Sequence, residues 1–413
     1  MGSALRNSKE ADHRGIDKLF YKTMLKDLFS NTCTVKFWDG EEVIYGKGKS
    51  KFTLILHEPI PKANIIADPS LALGEAYMHK QLEIEGDIQM VMESLYHNLN
   101  SFLRKNGIYA KVGKRISNSI KKSRKNVKYH YDIGNDFYQL WLDETMTYSC
   151  GYFTSDNDTL TQAQKNKVNH ILKKLHLKAG QTLLDIGCGW GELIISAARR
   201  YRVKALGITL SSEQLRTVQK KIDNEGLEDL LEVKLIDYRK LKDRRFDRIV
   251  SVGMIEHVGK DHLHEYFSYV NKLLNPGGLS LLHCITGISD SGGTNSWIEK
   301  YIFPGGYIPN IQELIGHMAK EEFHLLDAES LRRHYGRTLG IWAQNFEQAL
   351  PVIQPTKDET FIRMWRLYLN ACAASFNCGN IDIHQFLFSK DIDHDLPWSR
   401  NYIYQEDDLA RVG

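Results

Sequence analysis

Hydrophobic and polar positions repeat with two different periods along the chain, and the first helical period lies near the N-terminus. Apolar residues recur every three or four positions over 14–30, which predicts a helix. Short strand-like segments follow over 33–59 and predict three strands, with Asp39-Gly40 as a hairpin turn between them. Helical spacing returns at 73–77 and 88–103. We therefore expect a small α+β domain over 1–105.

A regular alternation of strands and helices begins at Thr182. Strands are predicted at 182–189 (with a turn), 203–210, 231–237, 246–253 and 279–286, and helices at 192–201, 211–226 and 261–278. Ser211 and Gln214 form a capping pair for the second of these helices. The strand at 246–253 is almost continuously apolar, as expected when both faces of a sheet are covered. The pattern predicts a Rossmann-like α/β fold with a doubly wound, mostly parallel sheet.

Ligands of such a sheet bind beyond the carboxyl ends of its strands. The first strand closes on Asp185-Ile-Gly-Cys-Gly-Trp-Gly191, whose GxGxG spacing differs from the GxGxxG of dinucleotide folds. Glycines here allow the backbone to approach a ligand closely. The loop has the shape of the S-adenosylmethionine loop of class I methyltransferases. The second strand ends at Thr209-Leu210-Ser211 without an acidic residue for a ribose, which disfavours NAD and leaves that role to Thr209 and Gln214.

Composition is that of an ordinary soluble globular enzyme, with 42% hydrophobic and 25% charged residues. No apolar run approaches the ~18 residues that a membrane-spanning helix needs. The N-terminal segment is polar and charged, so we expect no secretory signal. The 6 cysteines include no CxxC pair, which indicates reduced thiols in a cytoplasmic protein and no metal site.

Charge is distributed unevenly along the chain. Residues 1–130 carry 22 Lys and Arg against 14 Asp and Glu, and the segment 104–128 alone has ten basic residues and no acidic one. Ile108, Val112, Ile116 and Ile120 recur within it at helical spacing. A basic amphipathic segment of this kind suits an anionic membrane surface, although a solvated helix or linker and a nucleic-acid contact remain alternatives. We expect three parts: a domain over 1–105, a basic linker over 106–130 and a catalytic domain over 131–413.

Eight motifs together resemble the cyclopropane fatty acid synthases, in order and over about residues 70–390. They are HYDIGNDFY (130–138), MTYSCGY (146–152), GCGWG (187–191), GITLSSEQ (207–214), VGMIEHVG (252–259), LLHCI (281–285), WIEKYIFPGGYIP (297–309) and YLNACAASF (368–376). The resemblance implies transfer of a methyl group from S-adenosylmethionine to the cis double bond of an acyl chain, usually in a membrane phospholipid. Loss of a proton then closes the ring, and a bound bicarbonate is the implied base.

The resemblance also implies the site residues. Those for bicarbonate are Cys150, Glu256, His283, Ile285 and Tyr335; those for catalysis are Cys150, Glu256, His283, Tyr335 and Cys372. The residues expected to bind the cofactor are Tyr148, Ser149, Asp185, Gly187, Cys188, Gly189, Thr209, Leu210, Gln214, Asp237, Tyr238 and Val252. We expect a cytoplasmic homodimer on the inner face of the cell membrane, with unsaturated phospholipids as partners, an N-terminal lipid-associating domain and no nucleic acid.

Each of these side chains also has an ordinary structural interpretation. Cys150 and Cys372 can be buried packing residues, Glu256 can cap a helix after a strand, and His283 can be a satisfied core histidine. Two other functions stay open. One is S-adenosylmethionine-dependent N-methylation of a small amine, and the other is lipid binding without catalysis.

Overall fold

The computed structural model describes residues 18–98, 126, 130, 133–242, 244–288, 294–392 and 395–405. Two compact units divide the chain, and each consists of several segments. The first contains 1–113, 294–302 and 346–380, and the second contains 114–293, 303–345 and 381–413. The basic segment 104–128 lies outside the described residues except for Asn126. No helix within the described ranges is both long and apolar enough to cross a membrane.

The first unit is built on a four-stranded sheet in the order β2-β1-β3-β4. Its strands are β1 (Cys33–Lys36), β2 (Glu42–Tyr45), β3 (Phe52–Leu56) and β4 (Leu82–Glu85). The predicted hairpin is confirmed, because β1 and β2 pair antiparallel around Gly40, whose φ is +88°. The predicted N-terminal helix is described over 18–26, as helix α1. Strand β4 was not predicted.

Helices accompany this sheet and include three from the C-terminal half of the chain. They are α2 (Lys62–Ala67), α3 (Pro69–Met78), α4 (Ile88–His97), α10 (Ser296–Tyr301), α13 (Leu350–Ile353) and α14 (Glu359–Asn377). Helix α14 packs against α4 and α3. Arg363 of α14 donates from Nε to the carbonyl of Tyr77 over 2.5 Å. The first unit thus holds segments that the sequence prediction assigned to 131–413.

The second unit contains a seven-stranded sheet in the order β10-β11-β9-β8-β5-β6-β7. The strands are β5 (Thr182–Ile186), β6 (Lys204–Thr209), β7 (Leu231–Leu235), β8 (Phe246–Val252), β9 (Leu274–Gly287), β10 (Phe323–Ser330) and β11 (Ile381–Lys390). Strands β5 to β9 pair parallel, and β11 pairs antiparallel with both β9 and β10. The predicted doubly wound, mostly parallel sheet is confirmed, and the antiparallel edge adds two strands to it.

The helices of this unit lie on both faces of the sheet. They are α5 (Asn135–Gln139), α6 (Leu160–Lys174), α7 (Glu192–Tyr201), α8 (Ser212–Glu225), α9 (Leu263–Leu273), α11 (Ile311–Lys320), α12 (Arg332–Gln348, which continues into the first unit) and α15 (Asn401–Tyr404). Successive strand residues point to opposite faces. Leu183 accordingly packs in the core beneath α6, α7 and α8, whereas Leu184 packs in the core beneath α9 and α11.

The helix predicted over 261–278 is shorter than expected. Helix α9 ends at Leu273 and β9 begins at Leu274, so Asn275-Pro-Gly-Gly278 forms the start of the strand. Pro276 cannot donate a hydrogen bond, and Gly277 has a φ of +72°, which an α-helix does not tolerate. The helix therefore stops before this tetrapeptide.

Candidate active site

A cavity of about 160 Å³ lies at the carboxyl ends of β5, β6 and β8 and beside the loop after β7. All the residues that we predicted to bind the cofactor line it: Tyr148, Ser149, Asp185, Gly187, Cys188, Gly189, Thr209, Leu210, Gln214, Asp237, Tyr238 and Val252. Parallel strands end at one edge of a sheet, which is why residues far apart in sequence meet here. Their binding roles stay predictions.

The Gly-rich loop forms one wall of this cavity. Gly187 and Gly191 have φ values of +90° and +88°, which favour glycine. A Cβ on Gly187 would lie 3.1 Å from Cγ of Met254, and one on Gly191 would lie 2.9 Å from a methyl carbon of Val218. Gly189 differs, because a Cβ there meets no protein atom within 4 Å. The loop thus leaves open space at Gly189.

Two polar pairs lie at the ends of the second and third strands. The hydroxyl of Thr209 donates to Oε1 of Gln214 over 2.7 Å, which leaves the amide N–H groups of Gln214 for other acceptors. Asp237 holds Arg239 through two hydrogen bonds of 2.8 Å, from Nε to Oδ1 and from a terminal nitrogen to Oδ2. Arg239 also lines the cavity and was not predicted. Its charge explains how Asp237 is stabilised in a buried position.

Asp185 and Lys167 bring opposite charges to the same cavity. Asp185 is 2% exposed, and its Oδ1 has no hydrogen-bond partner among the described residues. Burial raises the pKa of Asp185 to about 7, although the charge of Lys167 opposes this shift. Lys167 extends from α6 and donates from Nζ to Oγ of Ser149 over 3.1 Å. An unpaired buried carboxylate oxygen and the open space at Gly189 fit a ligand with an ammonium group.

Lys167 was missed because it lies on a helix that precedes the alternating pattern. Helix α6 buries Ala163, Gln164, Lys167 and Val168 on one side. Polar residues that interrupt the apolar face of this helix are the sequence feature that could have revealed Lys167, because a buried lysine almost always has a partner. His257, which is not among the predicted site residues, also lines the cavity. Burial lowers the pKa of His257 to about 4, so its imidazole is neutral.

The segment around Tyr148 is fixed by contacts on several sides. His130 stacks on Tyr148 with ring centroids 5.7 Å apart, and the hydroxyl of Tyr138 donates to the carbonyl of His130 over 2.6 Å. Gln164 donates to the carbonyl of Ser149 over 2.8 Å. Met146 has a φ of +60°, an uncommon conformation for a residue with a side chain. Strain of this kind is often found at functional sites.

Glu256, which follows β8, and His283, which lies in β9, are two further polar residues with buried side-chain atoms. The ladder between β8 and β9 ends at Val252 and His283. Beyond it, Glu256 Oε1 accepts the N–H of Ile285 over 2.7 Å, in the place of a strand carbonyl. Oε2 of Glu256 has no hydrogen-bond partner among the described residues. Burial raises the pKa of Glu256 to about 7, and the N–H of Ile285 offsets only part of this rise.

His283 is fully buried and neutral. Burial lowers its pKa well below the ordinary value, and the charges of Lys167 and Lys174 lower it further. Its Nδ1 lies 3.1 Å from Nε2 of Gln385 on the neighbouring strand. When Gln385 donates this hydrogen bond, the ring proton is on Nε2 of His283, which has no partner among the described residues. Glu256 and His283 therefore offer one acceptor and one donor, both buried.

Cys150 and Tyr335 both contact the carbonyl of Leu331. The thiol of Cys150 lies 3.8 Å from the carbonyl of Leu331, and Tyr335 donates its backbone N–H to the same carbonyl. Leu331 in turn donates its N–H to the carbonyl of Ile383, which pairs with Ile285 across β9 and β11. Burial raises the pKa of Cys150 well above its ordinary value. Cys150 is thus a thiol, and it is not a nucleophilic thiolate.

Cys372 is the one predicted site residue that belongs to the first unit. It lies on α14, and burial raises its pKa to about 12. At that pKa the thiol is protonated at neutral pH, so its own chemistry supports packing more than catalysis. The other four predicted catalytic residues belong to the second unit.

The sheet order and the Gly-rich loop beside the cavity define a class I methyltransferase fold. Residues 118–386 match the family described as mycolic acid cyclopropane synthetase, and residues 20–107 match a domain family of unknown function. The chain belongs to this synthetase family, as its motifs predicted.

Similar proteins agree with this assignment. The chain is 38% identical over 387 residues to a probable fatty acid methyltransferase of Pseudomonas putida, with 90% of this chain and 96% of that protein covered. It is 38% identical over 346 residues to the cyclopropane-fatty-acyl-phospholipid synthase of Escherichia coli K12, with 81% and 87% covered. The solved cyclopropane synthase MmaA2 of Mycobacterium tuberculosis superposes with a TM-score of 0.62 at 37% identity, over 65% of this chain and 98% of that one.

Proposed function

We propose that this protein transfers a methylene group from S-adenosylmethionine to the cis double bond of unsaturated acyl chains in membrane phospholipids, forming a cyclopropane ring. The E. coli relative, whose name states a fatty-acyl-phospholipid product, supports the substrate class. Support for the cofactor comes from the mycolic acid cyclopropane synthase CmaA1, which was crystallised with SAH, is 36% identical and has a TM-score of 0.60 over 65% of this chain and 98% of that one.

The observation that carries the proposal is that two buried polar atoms, Glu256 Oε2 and His283 Nε2, have no hydrogen-bond partner among the described residues. Methylation of an amine also requires the nitrogen to lose a proton, but a nitrogen-bound proton exchanges readily with water. Ring closure on an alkene requires a base that removes a proton from the new methyl group inside a dry apolar pocket. Buried acid and base groups meet this requirement, and an assay with both kinds of substrate decides between the two reactions.

The side chains around the cavity would bind and align the reactants. When bound, S-adenosylmethionine supplies an electrophilic methyl group. An alkene is a weak nucleophile, so the chain must hold the two reacting carbons in line and exclude water. The aromatic faces of Tyr148 and Tyr335 would stabilise positive charge on the acyl chain without reacting with it.

A bound bicarbonate fits the unpaired atoms at Glu256 and His283. Bicarbonate has one O–H donor and several oxygen acceptors, which complement the carboxylate Oε2 and the imidazole Nε2–H. The raised pKa of Glu256, about 7, allows it to carry a proton when an anion lies beside it. When bound, bicarbonate would supply the base. Cys150, Ile285 and Tyr335 would complete its site, as the family resemblance implies.

We also propose that the protein works as a homodimer on the inner face of the cell membrane. The basic segment 104–128 supports membrane docking, because its ten cations and no acidic residues suit anionic lipid. The expectation of a dimer rests on the resemblance alone, and light scattering of the purified protein tests it.

The proposal is tested with S-adenosylmethionine and vesicles of a monounsaturated phospholipid. Mass spectrometry of the recovered acyl chains should show the gain of one CH₂. We expect Glu256→Gln and His283→Ala to lower turnover about 10²–10⁴-fold, the usual contribution of a general base, while SAH affinity is unchanged. Wild-type turnover should also fall when bicarbonate is removed and recover when it is returned.

Controls separate the competing functions. His317→Ala changes a partly buried histidine on α11 that is not in the predicted site, and it should leave turnover unchanged. Methylation of small amines without a change in acyl mass would favour an N-methyltransferase. A solved coclaurine N-methyltransferase shares this fold with a TM-score of 0.60 at 18% identity, which bears on the fold alone. Vesicle binding without consumption of S-adenosylmethionine would favour a lipid-binding protein.

A further inference from the structure

One corner of the cavity holds groups of opposite charge that the proposed chemistry does not use. Lys167 is 3% exposed and Asp185 is 2% exposed, yet both line the cavity. Ser149 accepts one hydrogen bond from Nζ of Lys167 over 3.1 Å. An ammonium group has three donors, so two N–H groups of Lys167 have no acceptor among the residues that the structure describes.

Keeping a lysine at this position is costly for the fold. Burial lowers the pKa of Lys167 to about 8, and the negative charges of Asp143 and Asp185 only partly offset this. An apolar residue on the same face of α6 would pack against the neighbouring Val168 and Ile171, which belong to the core of the unit. Lys174 on the same helix is buried as well, but carboxylates pair with it directly, whereas Lys167 faces the cavity, which makes it a candidate for ligand binding.

Helix α6 controls the position of both Lys167 and its hydrogen-bond partner. Gln164, one turn before Lys167, donates to the carbonyl of Ser149 over 2.8 Å. Ala163 accepts the backbone N–H of Tyr152 over 2.8 Å. The segment that contains Ser149 is therefore fixed to the same helix face that carries Lys167. The ammonium is held in place before any ligand arrives.

We propose that Lys167 binds the carboxylate of the methionyl group of S-adenosylmethionine, opposite Asp185, so that this corner recognises the zwitterionic end of the cofactor. The inference rests on the proposed function, which supplies the cofactor. An α-amino acid end carries one ammonium and one carboxylate, and the corner presents one carboxylate and one ammonium. Lys167 acts as a positioning residue, because fixing the carboxylate restricts how the rest of the cofactor is oriented.

The test compares three adenosine probes with different amino acid ends, and each probe is measured on both the wild type and the variant because the charge on sulfur also differs among them. SAH carries both charges, decarboxylated S-adenosylmethionine lacks the carboxylate, and 5′-methylthioadenosine lacks the whole amino acid end. Calorimetry of Lys167→Met should show affinity for SAH lowered about 10- to 100-fold, as expected for a charge-assisted hydrogen bond. Affinity for 5′-methylthioadenosine should stay within about twofold of wild type. Affinity for the decarboxylated probe should stay equal or increase, because a buried like charge is removed.

A matched control is available on the same helix. Lys165 lies two residues earlier, is exposed and pairs with Glu144 over 2.9 Å. Lys165→Met should leave the affinities for all three probes unchanged. Thermal unfolding of each variant checks that it is folded, and Lys167→Gln replaces Lys167→Met if the latter is not.

The outcomes are distinct. Equal losses for SAH and 5′-methylthioadenosine would overturn the proposal, because they indicate a structural role for Lys167. Unchanged SAH affinity in a folded Lys167 variant would overturn it too. Failure of the wild-type protein to bind SAH would instead overturn the proposed function.

Discussion

Gly189 is the residue whose substitution should separate ligand binding from folding most clearly. Its φ is +54°, and a Cβ there meets no protein atom, although the residue lines the cavity. The methyl group of an alanine at this position would therefore occupy part of the cavity in which we expect the ligand to bind. We expect Gly189→Ala to weaken SAH binding by about 1–3 kcal/mol, the usual cost of overpacking, which calorimetry measures.

Gly180 provides the control for this substitution. It has a φ of +82° and equally open surroundings, but it lies in an exposed turn away from the cavity lining. Gly180→Ala should cost about the same folding stability, roughly 1 kcal/mol of left-handed strain, and leave SAH affinity unchanged. Equal SAH affinities in the two variants would contradict the assignment of the cavity to the cofactor.

Sequence reasoning identified side chains at strand ends better than those on helices. Asp185, Thr209 and Asp237 follow apolar strands, and the geometry of a parallel sheet requires such positions to meet. Lys167 comes from a helix that packs against the sheet, and no strand pattern indicates where that helix lies. Its role depends on which of its neighbours face the cavity, which only the folded chain reveals.

At the level of elements, a buried ion network joins α6 to the edge strand β10. Nζ of Lys174 lies 2.9 Å from Asp327 and 2.6 Å from Glu329, and Nε2 of His170 lies 2.6 Å from Glu329. Burial alone would raise the pKa of Glu329, but the hydrogen bond from His170 and the charge of Lys174 more than offset it and lower the pKa to about 2. The ionised carboxylate is therefore favoured in the folded protein.

A carboxylate whose pKa is lower in the folded protein than in the unfolded chain stabilises the fold. This stabilisation is complete above the pKa of the unfolded chain and is lost as the pH falls through the pKa of the folded protein. For Glu329 this window runs from 4.5 down to about 2. We expect Glu329→Gln to reduce the free energy of unfolding by about 1–3 kcal/mol at pH 7, with the difference from wild type disappearing across that window. Urea unfolding at a series of pH values measures this.

Glu213 offers a surface comparison for Glu329. It pairs with Arg216 over 2.6 Å, with the two side chains 36% and 69% exposed. Exposed pairs contribute about 0–1 kcal/mol, so Glu213→Gln should change stability little at any pH. A pH-independent loss in Glu329→Gln would mean that packing, and not charge, links α6 to β10.

Strand β10 at the edge of the sheet and its antiparallel neighbour β11 were not predicted, for a reason that lies in their partners. Strand β11 pairs with β9, although strand β10 and the five helices α10 to α14 separate the two along the chain. Apolar and polar residues do not alternate clearly along strand β10. His324 and Leu325 are exposed, and Asp327 is charged. Long-range pairing of this kind leaves no local periodicity in the sequence.

Considering the whole molecule, the order of segments along the chain does not match their grouping in space. Residues 346–380 follow most of the second unit in sequence but belong to the first. Arg363 explains part of this, because its guanidinium lies 4.1 Å over the ring of Tyr77 and also donates to the carbonyl of Leu82. A domain boundary drawn from composition alone could not have revealed such a contact.

Membrane docking is the property of the whole protein that the sequence predicts and the described residues leave open. Each well-placed cation contributes about 1 kcal/mol toward an anionic surface, and the segment 104–128 carries ten. We expect vesicle binding to increase with anionic lipid content and to decrease with salt, because the screening length falls to about 8 Å near physiological ionic strength. Replacing Lys121, Lys122, Arg124 and Lys125 with Gln should weaken binding in a sedimentation assay.

The control for docking removes the same number of charges from another surface. Lys204, Arg216, Lys220 and Lys234 are exposed and belong to the second unit. Replacing these four with Gln should leave vesicle binding nearly unchanged. The variant in the basic segment should also raise the KM for vesicles, while its SAH affinity stays at the wild-type value because the cavity residues are intact. Equal binding by wild type and that variant on anionic vesicles would mean that 104–128 is a solvated linker, and that another surface docks the enzyme.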